Sequence, residues 1–119
     1  MNIYISHSRY FDFKNELYKP IRESNINNLY SFFLPHENQN DSDNIERILK
    51  ADLIIAEVSY PSTGQGIEIG IASVSNIPIL CIYKEGSKIS RSLKHTTNQL
   101  ISYSNSQDLI YKITNFLVK

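Results

Sequence analysis

Leu53-Ile-Ile-Ala-Glu-Val58, followed by Ser59-Tyr-Pro-Ser-Thr-Gly-Gln-Gly66 and then Ile67-Glu-Ile-Gly-Ile-Ala-Ser-Val-Ser75, decides the fold. An almost continuous apolar run with no alternation reads as a strand covered on both faces, as strands of a parallel sheet are. The Pro/Gly loop from Ser59 to Gly66 and a short helix over Ile67 to Ser75 supply the crossover that a parallel neighbour needs. Ile77-Pro-Ile-Leu-Cys-Ile-Tyr83 is that neighbour, a second buried strand. One βαβ unit is therefore already present, with Leu53–Val58 as its central strand.

Outward from this unit the same alternation continues. Toward the N-terminus, Asn2 to Ser6 is a short β-rich strand that runs into polar His7-Ser8-Arg9. Phe13, Leu17, Tyr18 and Ile21 recur at helical spacing between Asp12 and Glu23, with Asp12 as N-cap and Pro20 bending or restarting the helix. Leu29 to Leu34 is expected as a second strand, and Pro35 to Asp43 as an exposed loop. Asp43 or Asn44 then caps a helix through Lys50 with Ile45, Ile48 and Leu49 turned inward. Toward the C-terminus a short helix over Ser87 to Lys94, an edge strand over Gln99 to Tyr103 and an amphipathic helix over Gln107 to Val118 complete the chain. The expected architecture is one α/β domain over residues 1–119. Its core is an open, mostly parallel five-stranded sheet, Rossmann-like or flavodoxin-like, with helices on both faces. Such sheets bind ligands beyond the carboxyl ends of their strands. Three polar loops converge there: Ser6 to Arg9, Ser59 to Gly66 and Lys84 to Ser90.

Composition narrows the ligand. Twelve basic and twelve acidic side chains balance over 119 residues, so no basic face for DNA or RNA is implied. A single phosphate is still within reach of backbone N–H groups and hydroxyls. Cys81 is the only cysteine, which excludes an intrachain disulfide and fits a reducing compartment. The first residues lack the pattern of a signal peptide and no stretch approaches membrane-spanning length, so a cytoplasmic location is expected. His7, His36 and His95 form no pair at zinc-ligand spacing, and neither a metal nor another cofactor is expected.

Gly64 and Gly66 are expected to let the backbone turn after the central strand and offer N–H groups at a helix start. The pattern is no Walker loop, since Gly-Lys-Ser/Thr is absent. Ile69 occupies the place of the third small residue in a dinucleotide fingerprint. ATP hydrolysis and NAD binding are therefore disfavoured. Glu68 stands out as a carboxylate in the first turn of an otherwise apolar helix, expected to point into the site. The ordinary alternative is a glutamate facing water and favouring the helix dipole.

The stretch Ala51-Asp-Leu-Ile-Ile-Ala-Glu-Val-Ser-Tyr-Pro-Ser-Thr-Gly-Gln-Gly-Ile-Glu-Ile-Gly-Ile-Ala72 resembles the nucleoside 2-deoxyribosyltransferase superfamily, especially its 2′-deoxynucleoside 5′-phosphate N-hydrolase branch. The resemblance implies that Glu68 attacks the anomeric carbon of a nucleotide and that Tyr4 orients it. It implies that Ser62, where the transferases carry an aspartate, contacts a 5′-phosphate. Ser90 would contact that phosphate from the neighbouring subunit of a homodimer. Ser6, His7 and Ser8 stand in place of the hydrolases' glycine-containing phosphate loop, and Gly64 and Gly66 complete the binding segment. Asn44 occupies the position of an aspartate that contacts the sugar and assists the leaving base, with Asp43 adjacent as a substitute. The function so implied is N-glycoside hydrolysis of (deoxy)nucleoside 5′-monophosphates. Deoxyribosyl transfer between nucleosides and a nucleotide-binding sensor without turnover are the alternatives.

Overall fold

The computed structural model describes residues 1–38 and 44–118. Strands β1 (Asn2–His7), β2 (Ser31–Phe33), β3 (Leu53–Glu57), β4 (Ile79–Lys84) and β5 (Leu100–Tyr103) form one sheet in the order β2-β1-β3-β4-β5. Every neighbouring pair is parallel, and Ile55 of β3 pairs with Ile5 on one side and Leu80 on the other. β3 is thus central, as its unbroken apolar run requires.

Alternate residues of each strand feed two cores. Ile3, Ile5, Leu53, Ile55, Leu80 and Ile82 pack against Leu17, Tyr18, Ile21, Leu109 and Ile113. The latter come from a π-helical turn (Lys14–Tyr18), α1 (Lys19–Arg22) and α5 (Ser106–Leu117). On the opposite face Tyr4, Ile54, Ala56, Ile79 and Cys81 meet Ile48, Ile69 and Ala72, from α3 (Asn44–Leu49) and α4 (Thr63–Val74). Helices therefore cover both faces, and the order 2-1-3-4-5 is flavodoxin-like, with its switch point between β1 and β3.

Several boundaries differ from the sequence expectation. Ile26–Leu29 forms a helical turn, α2, so the second strand is only Ser31–Phe33. Asp12 does not cap; its carboxylate accepts from the Asn15 side chain at 2.9 Å. Pro20 has no N–H, and the chain widens into the π-helical turn directly before α1, which carries Pro20 in its first turn. Between β4 and β5 only Arg91–His95 is helical, as a 3₁₀ turn. On α3 only Ile48 faces the sheet; Ile45 and Leu49 are 55% and 52% exposed.

The largest correction concerns the glycines. Gly64 and Gly66 are not in a turn, because α4 already begins at Thr63, with Ser62 as its N-cap accepting from the Gln65 N–H at 3.4 Å. Neither glycine has positive φ; among the described residues only Gly86 and Asn76 do. With no side chains, the two keep the first turn of α4 bare where a ligand would approach, and nothing lies within 4 Å of a Cβ placed on either. Glu68 is consequently in the second turn of α4 rather than the first.

Candidate active site

The start of α4 lies over the carboxyl end of β1, and the two elements meet at Glu68. Tyr4 Oη donates to Glu68 Oε2 at 2.7 Å, and Ser6 Oγ donates to Oε1 at 2.8 Å. Tyr4 and Ser6 are both buried and sit two apart on β1, so the pleat presents their side chains to the same face. Tyr4 also stacks on Phe33, with ring centroids 5.4 Å apart, which fixes the phenol. Burial, and after it the charge of Glu68 and the hydrogen bond to it, push the Tyr4 phenol far above its ordinary value of 10.0. It therefore remains a donor throughout the physiological pH range. Each carboxylate oxygen of half-buried Glu68 is held by one hydroxyl, with further acceptor capacity left open.

Glu68 lines a cavity of about 460 Å³ together with His7, Arg9, His36, Asn44, Ser62 and Gly64. That volume suits a small-molecule site, for which about 300–1,000 Å³ is usual. Asn44 Oδ1 is buried there without a hydrogen-bond partner. An acceptor left so would gain from a donor on a ligand. Asp43 lies outside the described residues. Ser8 does not line the cavity; it is buried, and its hydroxyl accepts from the Tyr10 N–H at 3.0 Å. Gly66 and Ser90 line a neighbouring cavity of about 200 Å³, shared with Leu93 and Ile69. Ser62 borders both. Ser90 is exposed and caps the 3₁₀ turn by accepting from the Ser92 N–H at 3.3 Å. The chain thus gathers Glu68, Tyr4, Ser6, His7, Asn44, Ser62 and Gly64 around one site, with Ser90 apart.

His7 is a neutral donor–acceptor relay. Its Nδ1 lies 2.7 Å from the Ser8 carbonyl, which only accepts, so Nδ1 carries the proton. Nε2 then accepts from Tyr18 Oη at 2.6 Å, and Tyr18 Oη in turn accepts from the His36 N–H at 3.0 Å. Burial lowers the His7 value from 6.5 to about 4, despite the opposing hydrogen bond to Ser8. His36 and Arg9 lower it further. With His7 uncharged at neutral pH, the Arg9 guanidinium is the lasting positive charge lining the cavity. Arg9 was legible only as a member of the loop after β1, and nothing in the sequence around it singles it out.

Glu57, at the end of β3, has a different surrounding. Its fully buried carboxylate accepts from the Ser59 N–H at 2.7 Å, from Ser59 Oγ at 2.9 Å and from Tyr103 Oη. Ser59 Oγ also accepts from the Lys84 N–H at 2.8 Å. Every oxygen is occupied, so Glu57 ties the ends of β3, β4 and β5 and fixes where the loop to α4 begins.

No protein-family model matches the chain. Among curated proteins it is similar to one from Methanosarcina barkeri named "Putative 2′-deoxynucleoside 5′-phosphate N-hydrolase 1", with 38% identity over 74 residues. The match takes in 60% of this chain but only 46% of that protein's length. Among solved structures it is similar to a CMP N-glycosidase from Clostridium botulinum, with a TM-score of 0.69 and 21% identity, covering 96% of this chain and 99% of that one. The two share one fold. A 2-deoxyribosyltransferase from Bacillus psychrosaccharolyticus has it too, at a TM-score of 0.62 and 19% identity, over 92% of this chain and 90% of that one.

Proposed function

We propose that the chain hydrolyses the N-glycosidic bond of nucleoside 5′-monophosphates, with Glu68 as nucleophile. The observation that carries this is a carboxylate held by Tyr4 and Ser6 at the β1/β3 switch point, open to a cavity of about 460 Å³. Cleavage passes through an oxocarbenium-like state, and a fixed carboxylate below the sugar stabilises it by charge or by bonding. In the first step a Glu68 oxygen bonds to C1′ as the C1′–N bond breaks, and the electron pair leaves with the base, which takes up a proton from solvent. In the second, water attacks C1′ of the glycosyl ester and gives up a proton to solvent as the C1′–O bond to Glu68 breaks, releasing the sugar 5-phosphate and restoring the carboxylate. Asn44 has no acidic proton to give the base; its free Oδ1 instead accepts from a sugar hydroxyl or base amine.

The phosphate end of this reading is the start of α4. Ser62, the bare backbone at Gly64 and the Arg9 guanidinium all line the cavity and supply hydroxyl, N–H and charge. The names carried by the curated relative and the Clostridium botulinum neighbour, an N-hydrolase and a CMP N-glycosidase, agree with a monophosphate. Incubating the protein with a panel of ribo- and deoxyribonucleoside monophosphates, with chromatographic detection of free base, tests the reading. Release from at least one monophosphate, and not from its nucleoside, is expected. A new nucleoside on adding a second base would make the chain a transferase. Binding without release would make it a sensor.

The active unit is a homodimer in the cytoplasm. Ile67, Ile71 and Val74 recur at helical spacing on α4, with Ile67 and Val74 largely exposed, and α3 beside it exposes Ile45 and Leu49. A second copy covering this face would bury it, and the sequence resemblance implies that its Ser90 reaches the phosphate end. Sedimentation equilibrium is expected to give twice the chain mass, and Ile67→Glu to shift the species to monomer.

A further inference from the structure

Gln65 combines burial with an amide, and nothing in the proposed chemistry uses it. Its residue is 4% exposed, on the first turn of a helix whose other buried residues are Ile69 and Ala72. Its Nε2 donates to the Glu57 carbonyl at 2.7 Å and to the Ser6 carbonyl at 3.3 Å. One side chain thus spans the carboxyl ends of β1 and β3 at the point where a doubly wound sheet opens its crevice. Its own N–H, separately, donates to Ser62 Oγ.

We propose that Gln65 is a positioning residue for Glu68; this rests on reading Glu68 as the reacting group. Ser6 is the link. Its carbonyl accepts from Gln65, and its hydroxyl donates to Glu68 Oε1. Gln65 and Glu68 are three apart on α4, hence on neighbouring parts of one helix face and separated by about 4.5 Å of rise. The amide therefore ties the carboxyl end of β1, through the Ser6 carbonyl, to the first turn of α4. That tie decides whether the Ser6 hydroxyl reaches Glu68 at 2.8 Å. Glu57 completes the arrangement, since its buried carboxylate holds the strand end whose carbonyl Gln65 grips. Because Ser62 is tied to the backbone of Gln65 and not to its side chain, losing the amide leaves the phosphate end in place. The position serves turnover more than binding.

The test is Gln65→Met, which keeps length and volume but has no donor, with Gln65→Asn, which keeps the amide but is too short to span both carbonyls. For each, kcat and KM for base release from the best monophosphate are measured, and a crystal structure is determined. The expected result is a fall in kcat of about 10- to 100-fold with KM within about twofold, as a misplacement of order 1 Å produces. In the crystals the Ser6–Glu68 contact lengthens beyond about 3.5 Å. Unchanged kcat in both variants, a rise in KM alone, or an unmoved Glu68 overturns the proposal. If Gln65→Met does not fold, Gln65→Asn decides by the same readings. Should the unmodified protein release no base at all, the reading of Glu68 fails by itself, and the position of Glu68 in the variant crystals still judges Gln65.

Discussion

Glu68→Gln is expected to lower the rate of base release by about a thousandfold or more while leaving the protein folded. The amide has nearly the shape of the carboxylate, and its single oxygen still accepts from one of the two hydroxyls that grip Glu68, Tyr4 Oη and Ser6 Oγ. What is lost is the negative charge beneath the sugar and the oxygen that bonds to C1′. Monophosphate affinity should change far less, because Ser62 and Arg9, the cavity residues offered to the phosphate, are left unaltered. The measurements are single-turnover release of free base, calorimetric binding of the same nucleotide, and a thermal midpoint within about 5 °C of the parent. A residual rate within tenfold of the parent would remove Glu68 from the role of nucleophile. Intact chemistry with lost binding would assign it to substrate contact instead.

Most of the fold was legible because β3 and β4 are buried on both faces and leave an unmistakable apolar record, which fixes a parallel sheet and its crossovers. Glu68 was legible for a related reason: a carboxylate between isoleucines on an otherwise apolar helix has few comfortable places to go. Other features depend on distances that no local pattern carries. The start of α4 was misjudged because Gly64 and Gly66 suggest a turn, whereas the Ser62 cap and the buried Gln65 amide hold them in a helix. Periodicity placed Ile45, Ile48 and Leu49 inward on α3, but only Ile48 is buried, and Ile45 and Leu49 lie outward, as Ile67 and Val74 do on α4. Gln65, Arg9 and the Glu57–Tyr103 contact each pair residues from separate strands or loops. They become visible only once the sheet order sets β1 beside β3 and β4 beside β5.

Folding stability is expected to fall by up to about 3 kcal/mol between pH 6.5 and pH 4 through His7 alone. The unfolded chain takes up a proton at this imidazole near its ordinary value of 6.5, whereas the folded chain resists until about 4, chiefly because the ring is buried. Between those values the unfolded state holds more protons, so acid favours it; below about 4 both states are protonated and this contribution levels off. Folding is therefore fully favoured above pH 6.5, the sign appropriate to a histidine whose value is depressed. Structure gives the same direction: a proton on Nε2 would face Tyr18 Oη, which must reverse its own hydroxyl while still accepting from His36. Carboxylates also titrate in this range, so the measurement is a difference. Urea unfolding of the parent and of His7→Gln is compared at pH 7 and pH 4, and the variant is expected to lose less stability by roughly that amount. Equal losses in the two proteins would mean that His7 titrates normally in the folded state, and Tyr18 would then need another partner. The consequence reaches the active site, because the relay from Ser8 through His7 and Tyr18 to His36 joins the loop after β1 to the segment after β2 on the cavity wall. A neutral His7 keeps that wall in place without adding charge, so under the proposed function a phosphate would be met by Arg9 and the start of α4.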